Sequence, residues 1–264
     1  MGSGYIADTE RVSEIHRIPA FLDPYYPPRP PDPSYPPRPS GPSGPPALGP
    51  GPTHPVGAAL VAALAGRFPP DDGAVDVVAP WHPAVEAVVS FTAHTMVATT
   101  LPREQLVAAG ADAYAGAFAP GVISTLAGPD GVADNLDVVL LASGTGRTGL
   151  PEQRSRAAHP RVRHARDWRQ HVHVHGDGRG FVTVSRGLGG VAELSVEVAP
   201  EQRDRGAGRD LLADARGLVA EGEPVVVLVA PGNARSVRAA LAAGFVPVGA
   251  VQLVRPGPAR RSRR

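Results

Sequence analysis

The chain has 264 residues, of which 42% are hydrophobic and 19% are charged, a composition that suits a soluble globular core. It contains no cysteine and no lysine, which excludes disulfide frameworks, cysteine-ligated zinc, thiol nucleophiles and Schiff-base or P-loop lysine chemistry. Its formal net charge is +1, so no overall field draws it to nucleic acid or to a membrane, and we expect neither as a partner. No apolar run approaches the roughly 18 residues of a spanning helix. Met1 to Glu14 lacks the order of a secretory signal, so we expect a cytoplasmic protein.

Residues 1–55 form a proline-rich N-terminal segment. Pro24 to Pro52 contains 14 prolines in 29 residues and almost no aliphatic side chains. Such a stretch cannot bury enough apolar surface to offset backbone ordering, which costs about 1–2 kcal/mol per residue. The sequence Tyr26 to Pro30 recurs as Tyr35 to Pro39, a repeat that is typical of polyproline II conformation. We predict a disordered segment that acts either as a semi-rigid tail or as a docking peptide for an aromatic groove.

Residues 56–146 carry patterns that predict an N-terminal α/β region. Val85 to Ala98 favours one or two strands, and Asp137 to Ala142 is typical of a buried strand. Helices are predicted over Val56 to Ala65, from Pro102 to about Phe118, and over Gly121 to Leu126. The polar stretch at 147–160 is interpreted as a linker to the second half of the chain.

The second half, residues 161–254, has clearer patterns. Val172 to His175 and Gly180 to Arg186 flank a glycine-containing turn and predict a hairpin. Ala192 to Val198 alternates, which predicts a strand with one apolar face, and an amphipathic helix follows it. The chain then continues with a buried parallel strand at Pro224 to Ala230, a helix at Ala234 to Ala243 that ends at Gly244, and two short strands near Phe245–Val248 and Ala250–Val254. This order predicts an α/β sheet with one βαβ crossover.

The stretch from Val198 to Leu211 joins the alternating strand to that amphipathic helix through a glycine-containing loop. The first turn of a helix has unpaired backbone N–H groups and about half a positive charge. Gly206 and Gly208 remove side chains that would block an approaching anion. Three arginines surround the same place, at 203, 205 and 209. These features favour a di-anionic ligand such as a diphosphate.

Two motifs here resemble the GNAT family of acyl-CoA N-acyltransferases. The pattern Arg203-x-x-Gly206-x-Gly208 follows Val198-Ala-Pro200 at the family's spacing, and a second family element is matched in register by Asn233, Ser236, Gly244 and Phe245. The resemblance covers about Arg161 to Val254 and implies an acyl-CoA-binding core there. Residues 56–146 would be either the opening part of the fold or a degenerate second copy. The implied fold class is α/β, a GNAT-like mixed sheet with flanking helices, preceded by the disordered Pro-rich segment.

The resemblance also implies an activity, the transfer of an acetyl group from acetyl-CoA to an unidentified amine acceptor, without a metal. Backbone groups of Leu194, Val196 and Val198 would pair with the pantetheine arm. The remaining donor-binding positions that it implies are Arg203, Asp204, Arg205, Gly206, Ala207, Gly208, Arg209, Asn233 and Ser236. Glu193 is the first candidate for the general base and Glu197, on the same strand face, is the second. The alternative for both is a solvated polar face.

Two positions depart from the family pattern. Asp204 stands where members usually have glycine, and Ala240 stands where many have a tyrosine that protonates the leaving thiolate. They favour a second hypothesis, a catalytically weak or inactive module that senses CoA or binds a protein. Asn233 also has a structural interpretation, as the N-cap of its helix.

Two further features of the sequence have patterns that binding sites can show. His171, His173 and His175 alternate along a strand, a geometry that can hold zinc, but arginines flank them, so we expect an exposed strand face. Residues 255–264 contain five arginines and no acid. We interpret them as a disordered basic tail, with contact to nucleic acid or acidic lipid as the alternative.

Overall fold

A computed structural model describes Leu48, residues 53–147 and residues 149–261. The strands are β1 (Val75–Val78), β2 (Glu86–Phe91), β3 (His94–Ala98), β4 (Val132–Ser143), β5 (Gln170–Asp177), β6 (Gly180–Arg186), β7 (Ala192–Val198), β8 (Pro224–Val229) and β9 (Val246–Arg255). The α-helices are α1 (Pro55–Leu64), α2 (Arg103–Ala108), α3 (Pro120–Ala127), α4 (Pro160–Trp168), α5 (Ala207–Ala215), α6 (Ala234–Ala242) and α7 (Pro258–Arg261). Short 3₁₀ helices connect several of them.

The nine strands form one mixed sheet in the order β1-β3-β2-β9-β4-β8-β7-β6-β5. Strand β4 belongs to the first half of the sequence but lies between β8 and β9 of the second half and pairs antiparallel with both. The two halves therefore share one sheet. The predicted fold class, a mixed α/β sheet with flanking helices, is confirmed.

The sheet around β7 and β8 is covered on both faces. On one face α5 and α6 pack through Leu211, Leu212 and Ala240, all buried against β7 and β8. On the other face α1 and the end of α4 cover a second cluster, which includes Val139, Leu141 and Val226. Burial on both faces explains why β8 is an unbroken apolar run. It also buries the first three side chains of β7, those of Ala192, Glu193 and Leu194.

Several predicted elements are confirmed. Strands β5 and β6 form the hairpin, with Asp177 paired to Gly180 across the turn. Helix α3 coincides with the predicted short helix, and α6 begins after Asn233 and ends before Gly244, whose φ of +85° is the left-handed conformation that glycine adopts most easily. These elements depend on local signals.

Four predictions about chain course are corrected. The helix after Pro102 ends at Ala108 because Gly110 turns the chain with φ +100°. The two strands expected after Gly244 are one strand, β9, whose pairing with β4 has a register shift. The stretch interpreted as a linker is held against β5 by two main-chain hydrogen bonds. The N–H of Gln153 donates to the carbonyl of Val174, and the N–H of Gly176 donates to the carbonyl of Pro151. Of the residues interpreted as a tail, Arg255 is the last residue of β9 and Pro258–Arg261 form α7.

The disorder predicted for residues 1–55 falls almost entirely outside the described residues. Leu48 is described and buried, and its carbonyl accepts a hydrogen bond from Arg186 Nε at 3.1 Å. In the described part of the chain, no helix is both long and apolar enough to span a lipid bilayer.

Candidate functional site

A gap opens between the parallel strands β7 and β8. In the described chain their ladder contains two pairs, Ala192 with Val225 and Glu193 with Val226. Beyond Glu193, β7 remains paired with β6 up to Val198 but has left β8. Its edge from Leu194 to Val198 therefore carries main-chain groups without a strand partner, which an extended ligand can pair with.

The loop that follows β7 has the backbone of an anion-binding concavity. The dihedral φ is +61° at Asp204 and +83° at Gly206, but it is not positive at Arg205 between them. Alternation of this kind turns successive N–H groups towards one point. Gly206 is also the N-cap residue of α5, and no side chain accepts a capping hydrogen bond at this end of the helix. Asp204 has a left-handed conformation at a position where the family pattern has glycine. Aspartate tolerates positive φ better than most residues, which explains why it can stand there.

The N–H groups of this loop are available to a ligand. Among the described residues, none of the main-chain N–H groups from 204 to 209 donates a hydrogen bond to the protein. The two neighbouring carboxylates do not plug the loop, because Asp204 faces Arg235 at 3.4 Å and Asp210 pairs with Arg209 at 2.8 Å. The loop thus combines free donors with the positive end of a nine-residue helix.

The arginines at the loop are unequal. Arg203 donates to the carbonyl of Val198 and to Glu197 Oε1, at 3.4 and 3.3 Å, which holds it against the end of β7. Arg205 is exposed beside the loop, where it can turn towards an anion. Glu197 also accepts from Arg161 of α4 at 2.8 Å. Both oxygens of this candidate base are therefore already engaged by guanidinium groups.

Glu193, the first candidate base, is completely buried at the point where β7 and β8 separate. Its Oε2 accepts from the main-chain N–H of Leu188 at 3.1 Å, and its Oε1 lies 2.6 Å from Nη2 of Arg169. The alternation of β7 had allowed a solvated polar face here. For Glu193 that alternative is wrong, because α1 and α4 cover this face.

The second motif forms the start of α6. Asn233 Oδ1 accepts from the N–H of Ser236 at 3.2 Å, so the predicted N-cap is confirmed. Ala240 is fully buried against the core on the α5 side. A side chain at that position faces packed apolar residues, and no hydroxyl group replaces the family's tyrosine there.

Sequence reasoning missed the residues that α4 places over the gap. Arg161 reaches Glu197 on β7, and His164 Nε2 lies 3.2 Å from Asp134 Oδ2 on β4. These helix positions are three apart and so lie on one helix face. An open groove of about 340 Å³ is lined by His159, Pro160, Arg161, His164 and Glu197. The sequence shows that Arg161 and His164 have the spacing of one helix face, but it does not show which strand residues they contact.

Two carboxylates of β4 have shifted pKa values. Burial raises the pKa of Asp137 to about 6, and the charges of Asp134 and Glu193 add to this against the opposing effect of Arg169. Burial acts in the same direction on Asp134, but hydrogen bonds from His164 and the Asn135 amide outweigh it and lower the pKa of Asp134. Neighbouring carboxylates on one strand therefore titrate differently.

The histidine strand does not form the regular face that its alternation predicts. A register shift lies between Gln170 and His173, and His171 has φ +53°. His175 is buried and its Nδ1 lies 3.1 Å from the carbonyl oxygen of Leu150. Within the described ranges, no group of three or more histidine, aspartate or glutamate side chains is arranged to hold a metal ion.

Comparison with known proteins gives a structural likeness but no match in sequence. No protein-family model matches the chain, and no curated protein matches it. A solved structure titled "Putative Acetyltransferase from the GNAT family", from Novosphingobium aromaticivorans, is similar at 18% sequence identity and a TM-score of 0.31. The match covers 50% of this chain and 70% of the other. It concerns the fold alone, and we base the function on this chain's own residues.

Proposed function

We propose that this protein is an acyltransferase that binds acetyl-CoA at the β7–α5 junction and transfers the acetyl group to an amine. The observation that carries the proposal is the run of unpaired N–H groups from 204 to 209, placed directly after a strand that has separated from its parallel neighbour. The first feature suits a diphosphate and the second suits an extended, amide-containing arm. The motifs at 203–208 and 233–245 point to the same ligand.

In this proposal the donor lies along β7. The diphosphate accepts from the loop's N–H groups, with Arg205 and Arg209 adding charge, and the pantetheine arm pairs with the free edge from Leu194 to Val198. The thioester then lies near the point of separation, beside Glu193 and the end of α4. The acceptor enters from the face that α1 and α4 cover. We expect the reaction in the cytoplasm.

Calorimetric titration of the full chain with acetyl-CoA tests the donor site, and a matched pair of variants locates it. Gly206→Trp fills the loop, so binding should weaken at least 100-fold, as expected when two charge-assisted hydrogen bonds of about 1.5–3 kcal/mol each are lost. Gly222→Trp is the control, because Gly222 has φ +77° and open space around it, so it imposes the same backbone strain away from the loop. Equal loss in both variants, or no binding by the folded wild type, contradicts the proposal.

A second candidate function is a CoA-binding module without turnover. It is favoured by Ala240, which is buried where a leaving-group acid would be needed, and by the engagement of Glu197 with Arg161 and Arg203. Loss of a positioned acid lowers a rate by about 10²–10⁴. Release of free thiol from acetyl-CoA in the presence of an amine panel separates the two candidates, because the module would bind the donor and release none.

A further inference from the structure

The segment that leads into α4 and forms its first turns carries a dense positive charge. Residues 154–166 contain five arginines and no acidic side chain, and even with the bounding Glu152 and Asp167 the segment has a net charge of +3. All five arginines are exposed, at positions 154, 156, 161, 163 and 166. Among the described residues, Arg154 pairs with Glu152 and Arg161 pairs with Glu197, and the other three make no ion pair. The surface therefore keeps an excess of positive charge.

The open groove between the start of α4 and the end of β7 lies within this positive surface. Glu197 is the acidic residue of its lining, and both of its oxygens already accept from guanidinium groups, those of Arg161 at 2.8 Å and Arg203 at 3.3 Å. Arg161 uses its Nε for this contact, and its two terminal nitrogens make no hydrogen bond within the described chain. The groove thus has a neutralised carboxylate and unused donors.

Two further donors are brought to the groove by one aromatic ring. His159 packs edge-on against Phe181 with ring centres 4.8 Å apart, and the guanidinium of Arg156 lies 5.7 Å from the centre of the same ring. Nδ1 of His159 accepts from the main-chain N–H of Arg161 at 3.2 Å, so Nε2 carries the ring proton and is a donor. Arg156, His159 and Arg161 therefore offer hydrogen bonds to an oxygen-containing, negatively charged group.

The groove lies at a defined distance from the proposed position of the thioester. Glu197 is four residues after Glu193 on β7, and both side chains point to the α4 face because side chains alternate along a strand. A rise of about 3.3 Å per residue places the groove about 13 Å from the point where β7 leaves β8. An extended peptide covers this distance with three or four residues, at about 3.3–3.6 Å each.

We infer that the groove binds an acidic segment of the acyl acceptor, so that the acceptor is a peptide whose terminal amino group is followed by acidic residues at its third to fifth positions. The inference rests on the proposed function and adds the substrate class. A carboxylate beside Arg156 and Arg161 accepts charge-assisted hydrogen bonds, which are about twice as strong as neutral ones. Nucleic acid fits less well, because the exocyclic amines of its bases are weak nucleophiles and the groove lining has no phenylalanine, tyrosine or tryptophan on which bases could stack.

The experiment offers the full chain three synthetic decapeptides that differ only at their third to fifth positions, which are glutamate, glutamine or arginine. Thiol release from acetyl-CoA gives kcat and KM for each peptide, and fluorescence anisotropy of the dye-labelled peptides gives their affinities without turnover. We expect kcat/KM to be about tenfold higher for the glutamate peptide than for the glutamine peptide, mainly through KM, and lowest for the arginine peptide. The preference should shrink as the salt concentration rises from about 50 mM to about 500 mM, because ions screen exposed charges.

Charge reversal locates the preference. Arg156→Glu and Arg161→Glu should each lower kcat/KM for the glutamate peptide about tenfold and raise it for the arginine peptide, which a purely structural loss would not do. Arg156 makes no ion pair in the described chain, so its replacement leaves the contact between Arg161 and Glu197 in place. Arg67→Glu is the control, because it makes the same change at an exposed arginine after α1, outside the positive segment.

Equal affinity and equal kcat/KM for the glutamate and glutamine peptides overturn the inference and leave the proposed function intact. An effect of Arg67→Glu as large as that of Arg156→Glu also overturns it, since the preference would then reflect total charge. Tighter binding of a labelled oligouridine than of the glutamate peptide, at the same salt concentration, assigns the surface to nucleic acid and overturns it as well. Absence of acetyl-CoA binding by the wild type instead removes the proposed function, and the inference with it.

Discussion

The sheet contains two buried arginine–glutamate pairs that differ in how completely they are satisfied. One joins Glu86 of β2 to Arg260 of α7, and the other joins Glu193 of β7 to Arg169 after α4. Both glutamates are fully buried, and both arginine side chains are at most 14% exposed. The two pairs therefore face a similar desolvation cost, and the difference lies in their hydrogen bonds.

In the Glu86–Arg260 pair both carboxylate oxygens and both terminal guanidinium nitrogens have partners. Nη2 of Arg260 donates to both carboxylate oxygens of Glu86 at 2.8 and 2.9 Å, and Thr99 Oγ1 donates to Oε2 at 2.6 Å. Nη1 of Arg260 donates to the carbonyls of Thr125 and Leu126 at the end of α3. This pair ties α7 and α3 to β2.

The Glu193–Arg169 pair leaves two buried nitrogens, Nε and Nη1 of Arg169, without hydrogen bonds in the described chain, and it lies beside Asp137, whose carboxylate receives no hydrogen bond from the described residues. An unpaired buried polar group costs about 1–3 kcal/mol. A protein retains such groups where a ligand later pairs them, and functional sites are where local rules are most often broken. The two pairs thus contain the same residue types, but the Glu193–Arg169 pair leaves buried nitrogens without hydrogen bonds in the described chain.

The largest effect is expected at the satisfied pair. Glu86→Ala leaves the guanidinium of Arg260 buried without its carboxylate, and breaking a buried pair from one side costs about 3–5 kcal/mol. Urea unfolding should show this loss in the free energy of unfolding. Acetyl-CoA affinity measured below the unfolding transition should stay within a factor of two.

The double variant Glu86→Met, Arg260→Met is the control for that prediction. It removes both charges and fills the space with apolar atoms, so it should recover most of the lost stability. A double variant as unstable as Glu86→Ala would show that packing around α7, and not the unpaired charge, dominates the effect.

A smaller effect is expected at the unsatisfied pair. Glu193→Gln preserves the shape of the side chain, and Arg169 stays in the field of Asp134 and Asp137. We expect a loss of about 1–3 kcal/mol, the usual range for one buried polar group left unpaired. The test compares the free energies of unfolding of Glu193→Gln and Glu86→Gln in urea. Equal losses in these two conservative variants would remove the distinction between the pairs.

Replacing Asp137 should stabilise the protein. An unfolded aspartate has a pKa of about 3.9, whereas the pKa of folded Asp137 is about 6. Between these values the folded state binds more protons, so the contribution of Asp137 to stability falls as the pH rises from 4 to 6. At pH 7, Asp137→Asn should therefore gain about 1–2 kcal/mol, after allowance for screening of a partly exposed group.

The measurement is the difference in unfolding free energy between wild type and Asp137→Asn across pH 4 to pH 8. The difference should be near zero at pH 4, grow up to pH 6 and stay constant above it. A variant that is less stable at pH 7 would contradict the unpaired state of Asp137.

Much of the donor side could be predicted from the sequence because its signals are local. The positions of Gly206, Gly208 and Asn233, the strand before them and the helix caps lie within short windows, and the structure forms the corresponding loop and cap. Anion sites made of main-chain N–H groups depend on backbone conformation, which short-range sequence governs.

The surroundings of Asp137 and Glu193 could not be predicted because they depend on contacts between distant segments. Asp137 was placed in a buried strand, but nothing in the sequence indicates that this strand lies between β8 and β9. The alternating pattern of β7 allowed a solvated face for Glu193. Its burial depends on α1 and α4, which pack over that face of the sheet. Likewise, Arg260 in the expected tail reaches Glu86 across 174 residues of sequence.

The smallest effect is expected at Asp204, because its side chain is largely exposed beside the proposed donor site, whereas the two glutamates of the pairs are buried. Its carboxylate is 68% exposed and contacts Arg235 at 3.4 Å, so it adds a negative charge beside the proposed diphosphate at little structural benefit. Asp204→Asn keeps the residue type that tolerates φ of +61° and removes only the charge. Acetyl-CoA affinity should rise about twofold to fivefold, as 0.5–1 kcal/mol implies. Asp204→Gly should match it, because the backbone conformation is already one that glycine adopts. If calorimetry shows weaker binding in both variants, the contact with Arg235 shapes the loop, and the charge of Asp204 does not limit the affinity.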